Sequence, residues 1–251
     1  MLFHFSIFFW SLAFFGVLYG IASNVDLPFW TGYLYSVAAL VVISVISARR
    51  ITRRIRNSVI PILIALSAPA LVSLITQLSH KFAFSIIAAG MYYLAFLALY
   101  RLRFAPSDRT ARAFLSIATL SAAFFFYASV FGFYLNFNMP LSVFMLLYFF
   151  GTLGIAYQSL YPSLRKNRRM VSFYSLVIAL GMSEIAWTLS FWPFSYLTIG
   201  SASLVFFFML WDMADSHFLG NLSRKRTLLY LLLSLILIGI LIGTSPWRIQ
   251  V

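Results

Sequence analysis

The chain has 251 residues, 63% of them hydrophobic and only 9% charged. A soluble domain carries roughly a quarter charged residues, so this sequence lacks the polar surface to cover a globular body in water and is excluded from the soluble class. Cysteine is absent, which removes disulfides, thiolate metal sites and cysteine nucleophiles.

Taken in chain order, apolar stretches alternate with short basic clusters. The clusters are Arg49, Arg50, Arg53, Arg54 and Arg56; then Arg101, Arg103, Arg109 and Arg112; then Arg165, Lys166, Arg168 and Arg169; then Arg224, Lys225 and Arg226. Up to the last cluster the apolar stretches are roughly 45 to 55 residues long, and a helix needs about 20 to cross the hydrocarbon core. Two crossings and a tight turn fit; one or three do not. The predicted spans are residues 2–22 and 28–48, 58–79 and 82–100, 113–135 and 140–161, 171–192 and 196–217, and finally 228–246. Breaks in hydropathy place the turns between the paired spans: residues 23–28, 79–81, 136–140 and 192–195.

The expected fold class is therefore an all-α integral membrane protein. It is a polytopic helical bundle of about nine transmembrane helices, arranged as four hairpins plus a final single helix. Residues 1–251 form one transmembrane domain with no soluble domain. The first helix has no positive charge ahead of it and no small-residue cleavage site, so it reads as a retained helix and not as a signal peptide.

Every even-numbered helix is followed by a basic cluster. Short loops rich in Lys and Arg stay in the cytoplasm, so the N-terminus is expected inside and the C-terminal tail outside. A bacterial inner membrane fits best. Trp30, Trp192 and Trp247 fall at expected outer interfaces and Trp211 near the inner one, while Trp10 and Trp187 are expected to pack between helices.

The net charge of +13 would suit nucleic acid, but short loops between membrane helices offer no folded basic surface with stacking aromatics. The expected partners of the basic loops are the bilayer and its anionic lipid headgroups. Gly16 with Gly20, and Gly239 with Gly243, form Gly-x3-Gly pairs, a spacing that lets helix backbones approach closely in lipid and points to a helix-mediated oligomer. Pro61 and Pro69 mark the third span as one that tolerates a kink.

Few residues can carry chemistry. Asp108 lies in a basic loop and is expected to neutralise a neighbouring Arg. Glu184 falls inside the seventh span, in its outer half, with no Lys or Arg at that depth. A carboxyl there is costly, roughly 2.5–3.5 kcal/mol for a central Asp, and such residues are functional candidates by default. It reads as a protonatable intramembrane site for coupling or ligand binding, or as a hydrogen-bonded tie between helices.

Asp212, Asp215 and His217 gather at the inner end of the eighth span, just before Arg224, Lys225 and Arg226. Asp212 and Asp215 are three apart and share a helix face. Two readings follow. In the first, the protein is non-enzymatic, a permease-like or lipid- or partner-binding helical module with Glu184 as its responsive group. In the alternative, it is an enzyme acting on a lipid-linked phosphate at the cytoplasmic face. Asp212 and Asp215 would then hold a hard cation against phosphate, and the three cations would hold the anion. Phosphate-loop, dinucleotide and Gly-x-Ser-x-Gly patterns are missing from the sequence, so no cofactor, metal or catalytic residue is assigned.

Overall fold

The computed structural model describes residues 2–23, 29–52, 58–105, 107–161, 168–218 and 223–244. Among these residues the chain forms nine α-helices and no strand. They are α1 (Leu2–Ser23), α2 (Phe29–Thr52), α3 (Val59–Leu74), α4 (Leu78–Phe104), α5 (Arg109–Asn136), α6 (Leu141–Leu160), α7 (Arg168–Leu189), α8 (Tyr196–Phe218) and α9 (Arg224–Thr244). Eight of them are long and apolar enough to cross a membrane, as befits a multi-pass membrane protein. The exception is α3.

Where these helices end has local causes. Several run three or four residues past the apolar spans into the basic clusters, because Arg and Lys favour helix and their stems can lie along apolar surface. The third helix stops early, at Leu74, where a span to residue 79 was expected. Ile75 turns extended at φ −80, ψ 131, its N–H donating to the Leu71 carbonyl. Two β-branched residues, Ile75 and Thr76, disfavour helix there. Gln77 is also extended and accepts the Lys81 N–H at 3.0 Å. Residues 79–81, expected as the turn, thus lie in the first turn of α4. Between α5 and α6, Asn138 takes φ 47, and the Pro140 carbonyl accepts the Val143 and Phe144 N–H groups.

Serine is common in these helices because its hydroxyl can return to the carbonyl one turn back. Ser11 donates to Ile7, Ser44 to Leu40, Thr119 to Leu115 and Ser175 to Val171 at 2.7–2.9 Å. These hydroxyls are satisfied inside their own helix, as lipid demands.

Two compact units divide the chain, residues 1–126 and 127–251, with the boundary inside α5. In the first, α1 packs mainly on α4, α2 on α3, and α3 on α4 as well. Eleven of the sixteen α3 residues are buried, so its neighbours enclose a helix too short to face lipid across the full core. The centre is Tyr92: its ring stacks on Phe14 at 4.4 Å, meets Phe96 edge-on at 4.8 Å, and its hydroxyl bonds to Ser44 at 2.8 Å.

In the second unit the broadest contact joins α6 to α7, and α8 packs on both α7 and α9. Tyr127 stacks on Tyr148 at 4.9 Å. The Tyr127 hydroxyl bonds to Thr152 at 2.9 Å, while the Tyr148 hydroxyl donates to the Tyr127 carbonyl and meets Ser203, both at 3.3 Å. At Gly200 of α8 a Cβ would stand 2.6 Å from the Ala128 Cβ. Only glycine permits that approach. The four glycines of the Gly-x3-Gly pairs differ: a Cβ at Gly16, Gly20, Gly239 or Gly243 would meet nothing within 4 Å, so neither pair forms a contact among the described residues.

Candidate functional site

Glu184 lies on α7, sixteen residues past Arg168 and five short of Leu189. At 1.5 Å per residue that is about 7 Å from the end of the helix. The opposite face of α7 is the packed one: Val171, Ser175, Ile178, Ala179, Met182 and Ala186 are buried. Glu184 is exposed, on the same side as Val177, Leu180 and Trp187. No side chain among the described residues hydrogen-bonds to its carboxyl group; the Thr188 hydroxyl donates to its backbone carbonyl, at 3.1 Å. A Cβ at Gly181, one turn earlier, would stand 3.7 Å from the Leu210 side chain. Trp187 corrects its expectation: it is 48% exposed, with its ring edge-on to Phe191 at 5.7 Å, and not packed between helices. It shares the helix side that α6 and α8 leave open.

The α8 residues gather as their spacing implies. Asp212 and Asp215 are half-buried, and Ser216 donates to Asp212 Oδ2 at 3.5 Å. His217 is exposed, with its ring 6.0 Å from Tyr174 of α7, while Phe218 meets Tyr174 edge-on at 4.5 Å. Lys225 is exposed in the first turn of α9. The side chains of Arg224 and Arg226 lie outside the described residues, as do Trp247 and the Trp30 side chain. Among the described residues no three His, Asp or Glu side chains gather as a metal site would require. Trp211, at the expected inner interface, is half-buried, and its indole N–H is enclosed without an acceptor among the described residues.

Two polar contacts of the basic loops escaped the sequence reading or exceeded it. Arg103 of α4 donates to the Ile51 carbonyl at 2.6 Å, covering one of the last carbonyls of α2, where a cation also suits the helix dipole. Asp108 pairs with Arg101 at 2.8 Å, as its position suggested, and also opens α5. Its Oδ1 accepts from the Thr110 hydroxyl at 2.7 Å and from the Thr110 and Ala111 amides at 3.0 and 3.3 Å. The Thr110 hydroxyl first, then the Ala111 amide, the Arg101 guanidinium and the Thr110 amide, hold this carboxyl below its ordinary 3.8.

A family profile described as "Protein of unknown function (DUF5656)" matches residues 11–244. The chain belongs to that family. The match runs from inside α1 to the end of α9, so it takes in both units and every described site residue. The description assigns no activity, substrate or partner. Comparison with curated proteins and with solved structures finds no match.

Of the residues singled out in the sequence, the fold brings Asp212, Asp215 and His217 to one helix end and leaves Glu184 by itself on another face. The Arg103–Ile51 contact joins positions 52 residues apart, and no local pattern announces it.

Proposed function

We propose that this protein is a multi-pass membrane protein that works by binding at its lipid-exposed surface, as a helical module engaging lipid or a membrane partner, and that it carries out no reaction of its own. The observation carrying this reading is the setting of Glu184. Its carboxyl lies on an open apolar side of α7, where a transport path would enclose it in polar walls and a catalytic site would give it a second functional group. A lone polar group on a lipid-facing surface is a handle for whatever covers that surface.

The basic residues support an orientation. Arg49 and Arg50 end α2, Arg101 and Arg103 end α4, Arg109 and Arg112 open α5, Arg168 and Arg169 open α7, and Lys225 opens α9. If each helix crosses once, in four hairpins and a final single helix, all these ends meet one leaflet. The rule for Lys- and Arg-rich loops makes it the cytoplasmic one. The N-terminus is then inside and the C-terminus outside, in a cell membrane such as the bacterial inner membrane. The parity requires α3 to cross. Its sixteen residues span about 24 Å, a little short of a core of about 30 Å, so the exposed Thr76 and Gln77 that follow sit at the interface, where water can satisfy their backbone groups. The basic ends then contact anionic headgroups, and Asp212, Asp215, His217 and Lys225 are interfacial groups at the same leaflet.

The test is proton flux. Vesicles holding the purified protein and an internal pH dye should take up protons no faster than empty vesicles, with Glu184 or with Glu184→Gln. Flux that Glu184→Gln abolishes would overturn the binding reading in favour of a permease.

A further inference from the structure

The open side of α7 has a regular spacing. Met170, Phe173, Val177, Leu180, Glu184 and Trp187 are all exposed, and the steps between them alternate three and four residues. That alternation marks one side of a helix and fits the a/d seam of a left-handed helix pair, a geometry that membrane helix pairs commonly use. The seam runs nearly the whole length of α7 and contains one polar residue. In such seams a single polar side chain fixes register and partner number.

We infer that α7 pairs in parallel with α7 of a second copy of this chain, the two Glu184 carboxyls hydrogen-bonded to each other across the seam. This rests on the reading that the α7 face is a lipid-exposed binding surface, and it names the partner. The choice of a second copy follows from depth. Copies of one membrane protein insert in the same orientation, and a two-fold axis along the membrane normal sets each seam residue opposite its own counterpart. A second copy therefore brings a carboxyl to the depth of Glu184. One carboxyl donates its O–H to an oxygen of the other. Acyl chains offer no donor. The open Gly-x3-Gly faces of α1 and α9 allow close approach, but neither helix carries a carboxyl.

The chain has no cysteine, so single cysteines report cleanly. In lipid vesicles, Val177→Cys and Leu180→Cys should each form a disulfide-linked dimer on oxidation, and Ile240→Cys on the Gly face of α9 should not. Energy transfer between labelled copies, followed as lipid dilutes the protein, should show Glu184→Gln dimers near wild-type strength. Glu184→Leu should weaken association about tenfold, the worth of an interhelical hydrogen bond in lipid. A crosslink at Ile240 in place of Leu180 overturns the proposal, as does dimerisation indifferent to Glu184→Leu. Monomers at every position also overturn it, yet leave surface binding of lipid or another protein standing. Only the proton flux described above removes the reading beneath it.

Discussion

At the scale of single residues, Asp108 joins two tasks in one carboxylate: it pairs with Arg101 and caps the first turn of α5. Its pKa is lowered from 3.8 in the folded chain, so its contribution to stability is present above that ordinary value. It is lost as pH falls through the lowered one. Asp108→Ala should therefore reduce the thermal midpoint of the reconstituted protein near neutral pH. The gap to wild type should narrow well below 3.8; a gap of constant size there would show that the charge is not what stabilises. Gly200 offers a second single-residue test. Its missing Cβ lets α8 sit 2.8 Å from the Ala128 Cα, measured from where that Cβ would be, and backbone does not yield cheaply. Gly200→Ala should destabilise by about 1–3 kcal/mol, the usual cost of overpacking. Gly239→Ala, where a Cβ meets nothing within 4 Å, should be neutral or stabilising, since Ala is the better helix former by about 1 kcal/mol. Denaturant unfolding of the two variants side by side measures the difference.

At the scale of elements, α3 is the informative helix. Pro69 inside it removes one backbone donor, and its length alone would not carry it across a bilayer. Burial of its middle, Pro69 included, against α1, α2 and α4 makes the missing donor tolerable, because neighbouring helices and not hydrocarbon surround it, while Thr76 and Gln77 beyond its end are exposed. The orientation proposed above turns on this helix. If α3 crosses, Arg50 and His80, both exposed near helix ends, lie on opposite sides. Arg50→Cys should then react with a membrane-impermeant maleimide only from the cytoplasmic side, and His80→Cys only from outside. Labelling of both from one side would make α3 a re-entrant element and reverse the parity of everything after it. The contact of Arg103 with the Ile51 carbonyl belongs to this scale too: a cation that reads in the sequence as a topology signal also ties the end of α4 to the end of α2.

At the scale of the whole molecule, the helices were legible and their facing was not. Hydropathy is a local property, so α1, α2 and α4 to α9 lie within a few residues of the spans predicted from the sequence. The early stop at Leu74 shows the limit, since Ile75 and Thr76 are apolar enough to extend a span but too β-branched to favour helix. The site residues divide in the same way. Asp212 and Asp215 share a helix end because three residues along one helix always do. Nothing in the spacing around Glu184 said that α6 and α8 would cover the other side of α7 and leave this one open, or that Trp187 would be exposed with it. The sequence by itself determined that the chain is a set of apolar helices punctuated by cations, because transfer of each segment out of water depends only on its own side chains. Only the tertiary structure decided which side of each helix is covered, where two backbones meet at Gly200 and Ala128, and which carboxyl is left facing outward. Those are relations between segments distant in the chain, fixed by packing and not by composition.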